Sequence, residues 1–126
     1  MILLDTCGLL WLVAGNDRIS AEVRARINGE PIVSVSAISA LEIALKVRSG
    51  KLRLPMPNLD WWERAISHHH LNVLDSDPAI LIRSAELPPI HRDPADRIIV
   101  ATALREMAPV VTSDARFSQY GVEVLL

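Results

Sequence analysis

The chain has 126 residues, of which half are apolar and 22% charged, a balance that fits one compact domain around a single core and excludes disordered and low-complexity classes. Thirteen Lys+Arg against fifteen Asp+Glu give a formal net charge of -2. A basic nucleic-acid-binding domain is thereby excluded, and any contact with a polyanion must run through a local patch or a bound cation.

Ile2-Leu3-Leu4 is a short apolar run without alternation, the pattern of a strand covered on both faces, and Asp5 closes it. A helix follows through Leu9, Leu10, Leu12 and Val13 to Gly15-Asn16. Ser20 caps a second, Ala21 to Ile27, stopped by Asn28-Gly29. Pro31 leads into a strand over Ile32 to Val35, and Ser36 caps a long helix, Ala37 to Ser49, ended by Gly50. After the stiff Leu54-Pro55-Met56-Pro57 connector, Asn58 caps a helix carrying Trp61, Trp62, Ala65 and Ile66, and Leu71 to Leu74 reads as a third strand. Asp77-Pro78 opens a helix over Ala79 to Leu87, broken by Pro88-Pro89. Asp93-Pro94 opens another to about Met107, and Val110 to Thr112 and Val122 to Val124 complete the strands. This alternation predicts an α/β fold, a three-layer sandwich in which a short, mostly parallel sheet of four to five strands is flanked by helices, with one domain over residues 1–126.

Cys7 alone can form neither an internal disulfide nor a Cys-based zinc site, so a reducing cytoplasm is the expected compartment. The opening Met1-Ile2-Leu3-Leu4-Asp5 is unlike a secretory leader, and runs such as Leu9 to Gly15 are too short to span a bilayer; a soluble, non-exported protein is expected.

Ligands of open α/β sheets bind outside the carboxyl ends of the strands, where Asp5 and Asp114 fall. Each also suits the cap of the helix that follows. Asp96 shares a face with Ile99, Val100, Ala103 and Met107, the stripe that should be buried; its alternative role is a capping-box partner of Asp93. Glu42 lies on a helix apolar nearly all round, where a carboxylate needs a partner, either a metal or an arginine such as Arg97. Two carboxylates about 4 Å apart repel by roughly 4 kcal/mol at an effective dielectric of 20, so a cluster of such acids must protonate or take a cation. All-oxygen donors select hard ions, Mg²⁺ or Mn²⁺.

These residues lie in four motifs: Leu3-Leu4-Asp5-Thr6; Ser39-Ala40-Leu41-Glu42-Ile43-Ala44 leading to Gly50-Lys51-Leu52; His91-Arg92-Asp93-Pro94-Ala95-Asp96-Arg97; and Thr112-Ser113-Asp114. In this order and spacing the whole chain resembles PIN-domain ribonucleases, and more closely the VapC-type toxins of type II toxin–antitoxin modules. The resemblance implies that Asp5, Glu42, Asp96 and Asp114 are catalytic, metal-binding acids for Mg²⁺ or Mn²⁺, with Thr6, Thr112 and Ser113 as hydroxyls beside the metal or a phosphate. It implies hydrolysis of RNA phosphodiesters by metal-activated water, a homodimer, and a small antitoxin protein as partner. Ala95 departs from the aromatic that many relatives carry there.

Arg92 and Arg97 flank the acid helix and are placed to meet RNA. Lys46, Arg48, Lys51 and Arg53 form a run without an intervening acid, suited equally to an RNA backbone and to a solvated helix end. His68-His69-His70 reads as a polar helix end, since consecutive residues do not face one ion, and His91 reads as a solvated loop histidine. One of Trp61 and Trp62 is expected at an interface. A haloacid-dehalogenase-type phosphatase is disfavoured by Cys7 standing where a second aspartate is needed, and a receiver domain by a missing late lysine. The alternatives kept are a non-toxin PIN-type nuclease of RNA processing and a catalytically inactive RNA- or partner-binding module.

Overall fold

A computed structural model describes residues 1–126. The elements are β1 (Ile2–Leu4), α1 (Thr6–Ala14), α2 (Ala21–Gly29), β2 (Val33–Ser36), α3 (Ile38–Arg48), α4 (Asn58–His68), β3 (Asn72–Leu74), α5 (Pro78–Glu86), α6 (Pro94–Glu106), β4 (Val110–Val111), a short 3₁₀ helix (Ala115–Tyr120) and β5 (Val124–Leu125). The five strands are ordered β3-β2-β1-β4-β5 and every pairing is parallel. The expected α/β sandwich is therefore observed, with five strands.

Period-2 alternation sorts β1 between two cores. Ile2 and Leu4 join Leu9, Leu12, Val23, Ile43 and Trp61, so α1 to α4 cover that face. Leu3 joins Ile99, Val100, Ala103 and Phe117, so α6 and the 3₁₀ helix cover the other, with α5 packed on α6 through Ile80, Ile98 and Ala101. From β1 the chain steps outward through β2 to β3, then crosses back to build β4 on the far side of β1. The reversal leaves a crevice between the carboxyl ends of β1 and β4, the point where doubly wound sheets bind ligands.

Several local expectations are corrected. Ser20 caps α2 as expected, but the helix runs on through Asn28 to Gly29. Asn58 is not a cap: Pro57 takes that position without a side-chain bond, and Asn58 is already helical. Strand β5 is shifted to Val124–Leu125, while Val122 is buried in the preceding turn. Met107 leaves the expected buried stripe: it adopts φ 52° as the left-handed end of α6 and is 91% exposed. Trp61 lies in the core and Trp62 at its margin. No helix is long and apolar enough to cross a membrane.

Candidate metal and phosphate site

Asp5 follows β1 directly and caps α1, its Oδ1 accepting the Gly8 N–H at 2.6 Å. The close seating of α1 on β4 depends on Gly8, where a Cβ would stand 2.6 Å from the Val111 carbonyl oxygen and 3.2 Å from Asp5 Oδ1. Asp5 is 8% exposed, and burial pushes its carboxyl up to about 6, opposed by the polar influence of the Thr112 hydroxyl and by the Gly8 N–H bond; Glu42 and Asp114 push it further.

The next acid is held from the same helix. Thr6 Oγ1 donates to Glu42 Oε1 at 2.5 Å, which commits its only hydrogen, so Ser39 Oγ donates to Thr6 Oγ1 at 2.9 Å. Burial raises the Glu42 carboxyl above its ordinary value; the Thr6 bond opposes this, and Asp96 and Asp93 add to it. Asp96 is half-buried on the first turn of α6 and is raised by burial first, then by Asp93, Asp5 and Asp114, with His91 opposing. The capping box does not form: Asp93 alone closes the helix start, accepting the Ala95 N–H at 3.0 Å.

Asp114 differs. It caps the 3₁₀ helix through the Arg116 N–H, and Arg116 Nε and Nη2 grip its two oxygens at 3.0 and 2.8 Å. His91 Nε2 meets Oδ2 at 2.8 Å. Arg116 above all, with His91, holds this carboxyl well below the usual range. His91 corrects the sequence expectation: it is not a solvated loop residue but 4% exposed, with Nδ1 on the Tyr120 hydroxyl at 2.7 Å and its ring against Phe117 and Tyr120.

Asp5, Asp96 and Asp114 thus lie within electrostatic reach of one another around the β1/β4 crevice, with Glu42 in reach of Asp5 and Asp96, and Asp5, Glu42 and Asp96 enter no salt bridge. The chemistry of this donor set, carboxylates with hydroxyls behind them, fits a hard divalent cation. As the side chains stand, no three His, Cys, Asp or Glu gather tightly enough to grip one ion, and Asp114 is engaged by Arg116 and His91.

Arg97 is not placed for RNA or for Glu42. Its guanidinium donates to the backbone carbonyls of Ser84, Ala85, Leu87, Pro88 and His91, tying α6 to the end of α5. Arg92 and Ser113 are exposed beside the site, and Thr112 is buried, accepting the Asp114 N–H at 3.0 Å. A groove between α3 and the start of α6 is lined by the acids Glu42 and Asp93 together with Lys46, Arg48 and Lys51. Sequence reasoning missed Gly8, Arg116 and Tyr120. Only Gly8 left a signal, since a glycine inside an otherwise apolar helix costs about 1 kcal/mol and points to close approach.

The PIN domain family profile matches residues 2–123. Ribonuclease VapC22 of Mycobacterium tuberculosis is 29% identical over 120 residues, which cover 94% of this chain and 91% of that protein. Among solved structures, FitAcB from Neisseria gonorrhoeae superposes with a TM-score of 0.67 at 23% identity, covering 100% of this chain and 97% of that one. VapBC2 from Rickettsia felis, bound to a promoter DNA fragment, gives 0.69 at 17% identity, covering 98% and 97%. These superpositions speak to the fold, and the profile match to descent: the chain belongs to the PIN-domain family.

Proposed function

We propose that this protein is a Mg²⁺- or Mn²⁺-dependent endoribonuclease and the toxin of a toxin–antitoxin pair, a single cytoplasmic domain that works as a homodimer and is restrained by a small antitoxin. The observation that carries the reading is the set of three acids, Asp5, Glu42 and Asp96, raised by burial and by one another at the β1/β4 crevice with no salt bridge to neutralise them. The similarity to Ribonuclease VapC22 over nearly the whole chain supports RNA as the substrate class. Similarity to the toxin–antitoxin complex from Klebsiella pneumoniae, with a TM-score of 0.68 at 20% identity, supports the partner at the level of fold.

Asp5, Glu42, Asp96 and Asp114 would hold the ion, which when bound supplies a hydroxide at neutral pH and offsets charge on the phosphate. The chain's own part is positional. Gly8 fixes the Asp5 carboxylate, and the Ser39-to-Thr6 relay fixes Glu42. The basic residues lining the α3/α6 groove, Lys46, Arg48 and Lys51, offer an approach for an RNA backbone toward Glu42. Arg92 and Ser113 are exposed next to the acids in the chain and are available to meet incoming phosphates.

The test is cleavage of a structured RNA with Mg²⁺ or Mn²⁺, with EDTA, and with the Asp5→Asn and Asp96→Asn variants. Activity lost to the chelator and to both substitutions supports the reading; metal-independent cleavage, or full activity in both variants, overturns it. The toxin role is tested by expression in cells: growth arrest that Asp5→Asn abolishes supports it, and equal tolerance of both forms removes it. The ion pair on Asp114 favours one second reading, a partner-binding module without turnover, which inactivity at all metal concentrations would support.

A further inference from the structure

Arg116 takes no part in the core and has no role in the function proposed above, yet it makes the most elaborate contact in the site. Its backbone N–H and Nε both donate to Asp114 Oδ1 at 3.0 Å, and Nη2 donates to Oδ2 at 2.8 Å. The side chain is 56% exposed, so it has room to swing away, and its charge also feels Asp96. The second donor on Asp114 is of another kind. His91 is buried, fixed at Nδ1 by Tyr120 and wedged against Phe117, and it keeps Oδ2 oriented whatever Arg116 does. One carboxylate is therefore held by a fixed imidazole ring and by a movable guanidinium.

A guanidinium and a hard dication compete for the same oxygens, and the planar fork that fits a carboxylate fits a phosphate equally well. We infer that Arg116 is a substrate-binding residue that rests on Asp114, opposes entry of the divalent cation there, and transfers to an RNA phosphate next to the scissile bond once the cation holds Asp114. Cation loading and substrate binding are thereby coupled through one side chain. The inference rests on the metal-site reading proposed above.

The test titrates Mn²⁺, followed by the electron paramagnetic resonance of the free ion, into the wild type, Arg116→Gln, Arg116→Lys and Asp96→Asn. Cleavage of a single-stranded RNA at saturating Mn²⁺ is then measured across a KCl series. Arg116→Gln is expected to bind Mn²⁺ about three- to fivefold more tightly, the range of an exposed ion pair removed. Its log KM should depend less steeply on log salt, by about 0.7, as expected when one phosphate of a single strand is no longer neutralised by the protein. Arg116→Lys, which keeps the charge without the fork, should retain the wild-type salt dependence. Unchanged or weaker Mn²⁺ binding by Arg116→Gln, or an unchanged salt dependence, overturns the inference, provided that the wild type binds Mn²⁺ and Asp96→Asn does not. Failure of the wild type to bind Mn²⁺, or equal binding by Asp96→Asn, overturns the metal-site reading and the inference with it.

Discussion

Burial pushes the Asp5 carboxyl up to about 6 from 3.8, so at neutral pH the fold carries an anion that water accommodates better. Such a group favours the folded state below its unfolded value, and that contribution is lost as pH rises through 6. At 1.36 kcal/mol per decade the shift is worth about 3 kcal/mol. Asp5→Asn, which keeps a good cap for α1, should therefore be more stable than the wild type at pH 8 by up to about 3 kcal/mol and nearly equal to it at pH 4, as read from urea midpoints. A wild type that matches the variant at both pH values would contradict the assigned burial. Gly8→Ala sets a Cβ 2.6 Å from the Val111 carbonyl and should cost about 1–3 kcal/mol in the same measurement. At this scale Glu42 is legible in the sequence because a carboxylate on an apolar helix has no cheap environment. His91 is not, because its burial depends on Tyr120, which lies 29 positions away in the chain.

Between elements, the junction of α5 and α6 is held by one side chain. Arg97 satisfies five backbone carbonyls at a chain reversal rich in proline, where few backbone N–H groups are on hand to do so. Arg97→Met should cost about 2–3 kcal/mol in urea denaturation, because those carbonyls lose a charged donor. It should leave the KM for RNA unchanged below the denaturation range; a raised KM with unchanged stability would restore the substrate role that the sequence suggests. Helix starts that use Asp or Ser side chains, at Asp5, Ser20, Asp77 and Asp93, are legible because the cap is a local bond. Asn58 misleads because Pro57, already extended, ends the preceding segment by itself. Met107 misleads because periodicity does not reveal where the chain turns left-handed to reach Pro109.

Across the whole molecule, the apolar runs and the helices between them are enough to foretell a parallel sheet, since parallel neighbours need crossovers and crossovers have one hand. Strand order is not legible, because two-residue strands such as β4 carry no pattern that names their neighbour. The order matters to the proposed site, for it is the β1/β4 pairing that brings Asp5 and Asp114 to one crevice. If that crevice takes Mn²⁺ in the native state alone, the thermal midpoint should rise with Mn²⁺, by the equivalent of about 2.7 kcal/mol at roughly one hundred times the dissociation constant, and should not move in Asp96→Asn.

The central strand β1 and its neighbour β4 are adjacent in the sheet but separated in the chain by all six α-helices, so β1 is synthesised well before β4. A nascent chain that has not yet released Val110 lacks one wall of the crevice as well as Asp114 and the ring of Tyr120 that steadies His91. Whatever the folded chain can cut, a chain that has not yet reached Tyr120 is only an unassembled precursor of the site, so competence waits for β4 and the 3₁₀ helix that follows it.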